Sequence, residues 1–367
     1  MLREAHDLIT TESPSHDLDA VAESGRAVAR VGRARLGCEP DVIVIDGCTH
    51  LRWRFGTGRR HVLVLGHHDT VWPVGSLVQH PATVRDGVLL GPGCLDMKVG
   101  LVMAFHALAA LDDLDGVTLL VTGDEEIGSP TSRGLIESEA LGCEAVLVLE
   151  AAADGGALKV QRKGRAHYTI RVAGRAAHAG LEPEKGVNAA IEMAHHIVAT
   201  QRLADTALGT SVTPSLAVSG TSANTVPDAA SFTLDVRAVT VAELERVHAA
   251  LQAWSPVLDG AVVTVEGSID RPPLERSASA GLYAVADELA PLVGEDQLNG
   301  AAVGGGSDGN LTAALGIPTL DGLGGVGGGA HADSEHVIVE ALPARTALVA
   351  LLVARALESA VDAGGAA

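Results

Sequence analysis

The stretch His61-Val62-Leu63-Val64-Leu65-Gly66-His67-His68-Asp69-Thr70 sets an apolar run against a knot of imidazole and carboxylate. The run is too short for a helix and rich in Val and Leu, so it reads as a buried strand with polar residues at its carboxyl end. Two further runs have the same form: Val117 to Val121 leads into Asp124-Glu125-Glu126, and Ala145 to Leu149 ends in Glu150. Between Lys98 and Leu111, Leu101, Val102, Phe105, Leu108 and Leu111 recur at helix spacing. Alternating strands and helices imply an α/β sheet, whose ligand sites lie outside the carboxyl ends of the strands. Three strand ends therefore deliver histidine and carboxylate to one place. Two loops add to them: Gly91-Pro92-Gly93-Cys94-Leu95-Asp96-Met97-Lys98 sets Asp96 just before a helix, and Gly327-Gly328-Gly329-Ala330-His331 presents a histidine on a flexible segment.

The middle of the chain has a different texture. From Tyr168 to Val172 and from Ser231 to Val236, apolar and polar residues alternate, as in strands with one solvated face. Between them a helix is expected after Asn188, a good N-cap, through Ile191, Ala194, His195 and Val198. Residues 164–271 thus read as an α+β insert, flanked by 1–163 and 272–367 as one discontinuous domain. A long apolar helix closes the chain, with Pro343 in its first turn. A length of 367 residues fits two domains, since single cores stop growing near roughly 250 to 300 residues.

Composition narrows the function. The net charge of −20 argues against a nucleic-acid or anionic-membrane partner, which needs clustered Lys and Arg. The N-terminal residues lack the apolar stretch of a signal peptide, and no run reaches the roughly 18 to 20 apolar residues of a membrane span. Cys38, Cys48, Cys94 and Cys143 show no metal or disulfide spacing and read as reduced thiols, so a cytoplasmic protein acting on small molecules or peptides is expected.

Histidine with carboxylate and no thiolate is the donor set of a catalytic zinc site. A shared carboxylate bridges two ions about 3.5 to 4 Å apart in two-metal hydrolases, and Asp96 is the candidate bridge. Each residue also has a plainer reading. Asp96 reads as the cap of the following helix, Asp69 as a turn residue, and Glu125 and Glu126 as an acidic helix start. Glu150 resists such a reading, because a buried carboxylate is costly without compensation. His68, His106, His195 and His196 read as structural or surface residues.

Taken together, Gly66-His67-His68-Asp69-Thr70-Val71, Gly91-Pro92-Gly93 with Asp96-Met97-Lys98, Gly123-Asp124-Glu125-Glu126-Ile127-Gly128, Glu150, Gly174-Arg175-Ala176-Ala177-His178-Ala179-Gly180 and Gly329-Ala330-His331 resemble the M20 metallopeptidases over nearly the whole chain. That family includes glutamate carboxypeptidase, aminoacylases, acetylornithine deacetylase and succinyl-diaminopimelate desuccinylase, and the glutamate carboxypeptidase branch is the nearest in arrangement. The resemblance implies a zinc-peptidase-type domain, a mixed sheet flanked by helices, interrupted by an α+β lid through which two subunits dimerise. It implies two zinc ions per subunit, with cobalt or manganese as substitutes, one held by His67, Asp96 and Glu150 and the other by Asp96, Glu126 and His331. Asp69 would orient His67, Glu125 would serve as general base and then acid, and His178 would reach the partner's active site to stabilise an oxyanion. A non-proline cis peptide is implied at Asp96-Met97.

Asn224, Arg237 and Arg271 match lid positions that contact substrate, with Arg271 as the carboxylate clamp. The loop Gly304-Gly305-Gly306-Ser307-Asp308 lacks the Gly-Lys-Ser/Thr ending of a phosphate loop, so Gly306 is expected to offer its backbone to substrate. Plainer alternatives exist: Arg237 as an ion pair at the sheet edge, and Arg271 as punctuation before the return to the first domain. The implied activity is hydrolysis of an amide bond, peptide or N-acyl, beside a free carboxylate. Glu150 instead of Asp disfavours an aminopeptidase. The family's lysine for a glutamate side chain aligns with Ala157, with Lys159 nearby, which puts glutamate specificity in doubt. An N-acyl-amino-acid deacylase, a one-metal amidase and a catalytically silent binding protein are the rival readings.

Overall fold

A computed structural model describes residues 1–56, 61–295 and 297–364. The chain forms two compact units: Met1–Gln161 with Leu274–Val303 and Ser307–Ala367, and Arg162–Pro273 with Gly304–Gly306. The second unit extends two residues beyond each end of the insert drawn from sequence texture. Gly304–Gly306, read from the sequence as part of the flanking domain, packs with the second unit because buried Arg162 donates from Nη1 to the carbonyls of Gly305 and Gly306, 3.1 Å each.

The first unit is built on a six-stranded mixed sheet in the order Asp41–Ile45, Cys48–Arg54, Val117–Thr122, Val62–His67, Ala145–Val148, Thr319–Leu320. The first three strands pair antiparallel and the remainder parallel. The period of two in a strand sends alternate side chains to opposite faces. Val62 and Val64 join a core with Trp53, Phe105 and Val349, whereas Leu63 and Leu65 join Ile136, Val146 and Leu311 on the other side. Burial on both faces is why these runs carry no polar alternation. Val62–His67 is central, and the chain passes from it first to one neighbour and then to the other, so the topology reverses at its carboxyl end.

The helix Val99–Ala109 packs against this sheet with nine of its residues buried, and Trp53 meets Phe105 edge to face, ring centroids 5.3 Å apart. Its approach depends on glycine. A Cβ on Gly100 would stand 2.2 Å from the Leu149 carbonyl oxygen, and one on Gly324 would reach the same oxygen at 2.2 Å. Backbone cannot swing aside as a side chain can, so both glycines are needed where the strand ends in Glu150. The long helix Leu342–Gly364 closes this unit. Among the described residues no helix is long and apolar enough to cross a membrane.

The second unit is a four-stranded antiparallel sheet in the order Ser211–Ser219, Ala229–Ala238, Gly164–Ala173, Val262–Arg271. One face buries Ala166, Tyr168, Ile170, Phe232, Leu234 and Val236 with Leu244, Val247 and Leu251 of the helix Val241–Gln252. The helix Ala189–Ala199 starts at Asn188, whose side chain accepts from the Ala190 and Ile191 amides.

Substituting Gly100→Ala is expected to lower stability by about 1–3 kcal/mol, the usual cost of overpacking against an immobile neighbour. The measurement is a urea midpoint that falls at unchanged slope. An unaltered midpoint would show that the helix has room to move off Leu149.

Candidate metal centre

His67 is the last residue of the central strand and is 1% exposed. Its Nδ1 lies 3.0 Å from the Asp69 carbonyl oxygen and 3.3 Å from Asp69 Oδ1, which turns Nε2 toward Asp96 Oδ1 at 3.2 Å and Glu150 Oε1 at 3.5 Å. The other oxygen of Asp96 faces a second imidazole: Oδ2 is 3.1 Å from His331 Nε2, which is also 3.2 Å from Glu126 Oε2. Asp96 thus stands between two histidines with one oxygen toward each. Donor atoms of His67, Asp96 and Glu126 lie within 4.8 Å of one another, as do those of His67, Glu125 and Glu150.

The plainer readings of these residues do not describe their geometry. Asp96 is extended (φ −112°, ψ 92°), joined to Met97 by a cis peptide, and makes no cap bond; its carboxylate goes to the two histidines. Asp69 is fully buried and accepts from Ser15 Oγ at 2.6 Å and from the Glu125 and Glu126 amides at 3.2 and 3.1 Å. One carboxylate therefore orients His67 and also fixes the backbone of the two glutamates. Glu125–Ile127 is a single 3₁₀ turn and not a helix start. The His331 segment is a hairpin and not a loose loop: Gly327–Gly328 pairs antiparallel with His336–Ile338, and His331 sits in the left-handed region at φ 63°.

Two supporting residues carry no sequence signal of their own. Glu335, 3% exposed, accepts from the Gly93, Leu95 and Asp96 amides and from Trp72 Nε1. His50 accepts at Nδ1 from the Gly123 amide and meets Thr131 Oγ1 at Nε2, while Asp124 accepts from Thr131 and Ser132. Cys48, His50 and Asp124 also approach one another. There, however, both nitrogens of His50 and both oxygens of Asp124 are already hydrogen-bonded, and burial pushes the Cys48 thiol up to about 11. That group is a satisfied polar core.

The electrostatics at the first cluster are of another kind. Burial opposes a charged His67, yet Asp69, Asp96 and Glu150 prevail and hold its imidazole well above the usual range. Asp96, followed by Glu126, pushes His331 up to about 10. Burial also acts to raise Asp96, but its bonds to His331 and His67 hold it below the usual carboxylate range. For Glu126 burial prevails, and its carboxyl is raised. Asp69, Asp96, Glu125, Glu126 and Glu150 place five carboxylates around two imidazoles, and Glu126 Oε1 is buried with no hydrogen-bond partner. Buried anions without compensation are costly. Divalent cations would compensate them, and His, Asp and Glu are donors that suit a catalytic metal.

The remaining predicted site residues lie in the second unit. His178 is exposed, and its Nδ1 accepts from the Gly180 and Leu181 amides, both at 3.1 Å, which leaves the neutral ring's proton on Nε2. Asn224 is its neighbour, since its carbonyl accepts from the Ala179 amide and Ala177–His178 pairs with Thr225–Val226. Arg237 and Arg271 are both paired with Arg165 across adjacent strands, at the opposite end of Gly164–Ala173. Arg237 is bidentate to Asp235, at 2.8 and 3.1 Å, on an inner strand and not the sheet edge. Arg271 is buried, and the Gly306 carbonyl is held by Arg162. In the first unit Ala157 is buried, and the Lys159 amide donates to the Asp321 carbonyl.

Comparison with known proteins places this geometry. The description of peptidase family M20/M25/M40 matches residues 63–355. Carboxypeptidase G2 of a Pseudomonas species is 30% identical over 312 residues, 81% of this chain and 74% of that protein. Succinyl-diaminopimelate desuccinylase of an Azoarcus species is 29% identical over 339 residues, 84% of this chain and 86% of that protein. Among solved structures, aminopeptidase PepT of Bacillus cereus superposes with a TM-score of 0.76 at 21% identity, over 97% of each chain, and so shares the fold. With His67, Asp96, Glu126, Glu150 and His331 gathered at one end of the matched sheet, the chain belongs to peptidase family M20/M25/M40 and is a metallohydrolase acting on C–N amide bonds.

Proposed function

We propose that this chain is a dinuclear zinc hydrolase of the carboxypeptidase type, cleaving an amide bond adjacent to a free carboxylate. The observation that carries the reading is Asp96, with Oδ1 toward His67 and Oδ2 toward His331. In this reading His67, Asp96 and Glu150 would hold one ion, and Asp96, Glu126 and His331 the other. Cobalt or manganese fits the same donors. The ions would supply Lewis acidity and make an attacking water easier to deprotonate. Glu125 would take a proton from the water that attacks the amide carbonyl and return it to the leaving amine. Asp69 keeps Glu125 in reach by holding its amide.

The substrate is a small peptide or an N-acyl amino acid. Arg271 is the candidate clamp for its carboxylate, because a planar guanidinium binds carboxylate through two parallel bonds. Arg237, Asn224 and the backbone at Gly306 complete the candidate contacts. His178, with its proton on Nε2, is suited to donate to a developing oxyanion. Ten residues of strand, about 33 Å at 3.3 Å each, separate the His178 end of the lid sheet from the Arg271 end. This separation supports a homodimer formed through the second unit, in which the partner's His178 and Asn224 complete the site. The cysteines Cys38, Cys48, Cys94 and Cys143 are free thiols, in keeping with a cytoplasmic location. A second reading, an N-acyl-amino-acid deacylase, draws on the desuccinylase that covers as much of the chain as the carboxypeptidase does. A panel of dipeptides, N-acyl amino acids and N-aroyl glutamates with zinc supplied separates the two.

Three outcomes test the assignment. Glu125→Gln is expected to keep its metal and lose about a hundredfold or more in kcat, the scale of general acid–base catalysis; near-normal turnover would remove Glu125 from the role. His331→Ala is expected to retain one ion where the wild type retains two, as counted by mass spectrometry of the metal content. Mixing inactive Glu125→Gln with inactive His178→Ala protein is expected to restore about a quarter of wild-type activity, because half the dimers are hybrids with one intact site. No recovery on mixing would place His178 outside its partner's site.

A further inference from the structure

We infer that Glu335 is a positioning residue: it sets the reach of Asp96 between its two imidazoles, and with it the affinity of the centre for its more weakly held ion. The inference rests on the dinuclear reading above. Glu335 Oε1 accepts from the Leu95 amide at 2.8 Å and the Asp96 amide at 3.0 Å, and Oε2 from the Gly93 amide at 2.9 Å and Trp72 Nε1 at 2.8 Å. A carboxylate offers about four acceptor sites, so this one is fully used and has no capacity left to ligate.

The arrangement answers a backbone problem. Gly93 is left-handed at φ 67° and Asp96 is extended, so the segment that carries the bridging carboxylate makes no regular helix or strand. Its amides face the interior and require acceptors. Glu335 supplies them from the far end of the chain, 239 residues from Asp96.

Its position in the hairpin gives the contact a second consequence. Glu335 stands four residues beyond His331 on the same hairpin tip, where its own amide donates to the Ala332 carbonyl and the Ala332 amide to Gly329. One side chain therefore ties the loop bearing His331 to the loop bearing Asp96, whose facing atoms are 3.1 Å apart. A displacement of either loop lengthens that distance. Groups that orient metal ligands typically change affinity by about 10- to 100-fold when removed.

The test is zinc-chelator competition on metal-stripped protein, comparing wild type, Glu335→Gln and Trp72→Phe. The Gln amide turns an NH₂ toward two N–H donors, and affinity for the weaker ion is expected to fall about 10- to 100-fold, with activity recovering at excess zinc. Trp72→Phe removes one of the four donors and is expected to fall several-fold, which keeps the test in force if Glu335→Gln does not fold. Wild-type affinity in both variants, or in Trp72→Phe alone where the other is unfolded, overturns the inference. A wild-type chain that takes up fewer than two ions overturns the dinuclear reading itself, a result distinct from an unchanged variant.

Discussion

The centre depends on one carboxylate being shared. Asp96 directs an oxygen to each of two imidazoles that come from opposite ends of the chain, and the architecture of the first unit is arranged so that it can. His67 is placed by the central strand of the sheet, at the point where the topology reverses. Glu126 and Glu150 come from the segments following the strands on either side. The helix after Asp96 is seated by Gly100 against the Leu149 carbonyl, so the residues on its N-terminal side and Glu150 are set by the same contact. Tight packing in this region transmits to the site, because backbone pressed on backbone has nowhere to relax.

The turns that hold the donors are short and irregular, and irregular backbone buried beside a sheet must find acceptors for its amides. Here the acceptors are carboxylates. Asp69 takes two amides of the Glu125–Ile127 turn, Asp124 takes those of Thr131 and Ser132, and Glu335 takes three around Asp96. Charge-assisted bonds of this kind are about twice as strong as neutral ones, which suits turns that have no ladder to support them. The same choice concentrates negative charge at the centre, which suits it to hold metal cations.

The second unit distributes its polar groups in another way. His178 and Asn224 stand beyond one end of its sheet and Arg237 and Arg271 at the other, each end secured by local bonds. The ten-residue strand Gly164–Ala173 lies between the two ends.

The strands Val62–His67, Val117–Thr122 and Ala145–Val148, the two-sided burial of their sheet and the helix after Asn188 were legible from residue order alone, because periodicity and local capping are short-range effects. So was the placing of His67, Glu125, Glu126 and Glu150 at or just beyond the carboxyl ends of strands. Residue order left Asp96 poised between cap and bridge, drew Glu125 and Glu126 toward a helix that is a single turn, and gave no reason to notice Glu335, Ser15 or His50. Those were decided by tertiary structure. A hydrogen bond between residues 239 apart leaves no period and no spacing in the chain, and only folding determines which buried amide a distant carboxylate will meet.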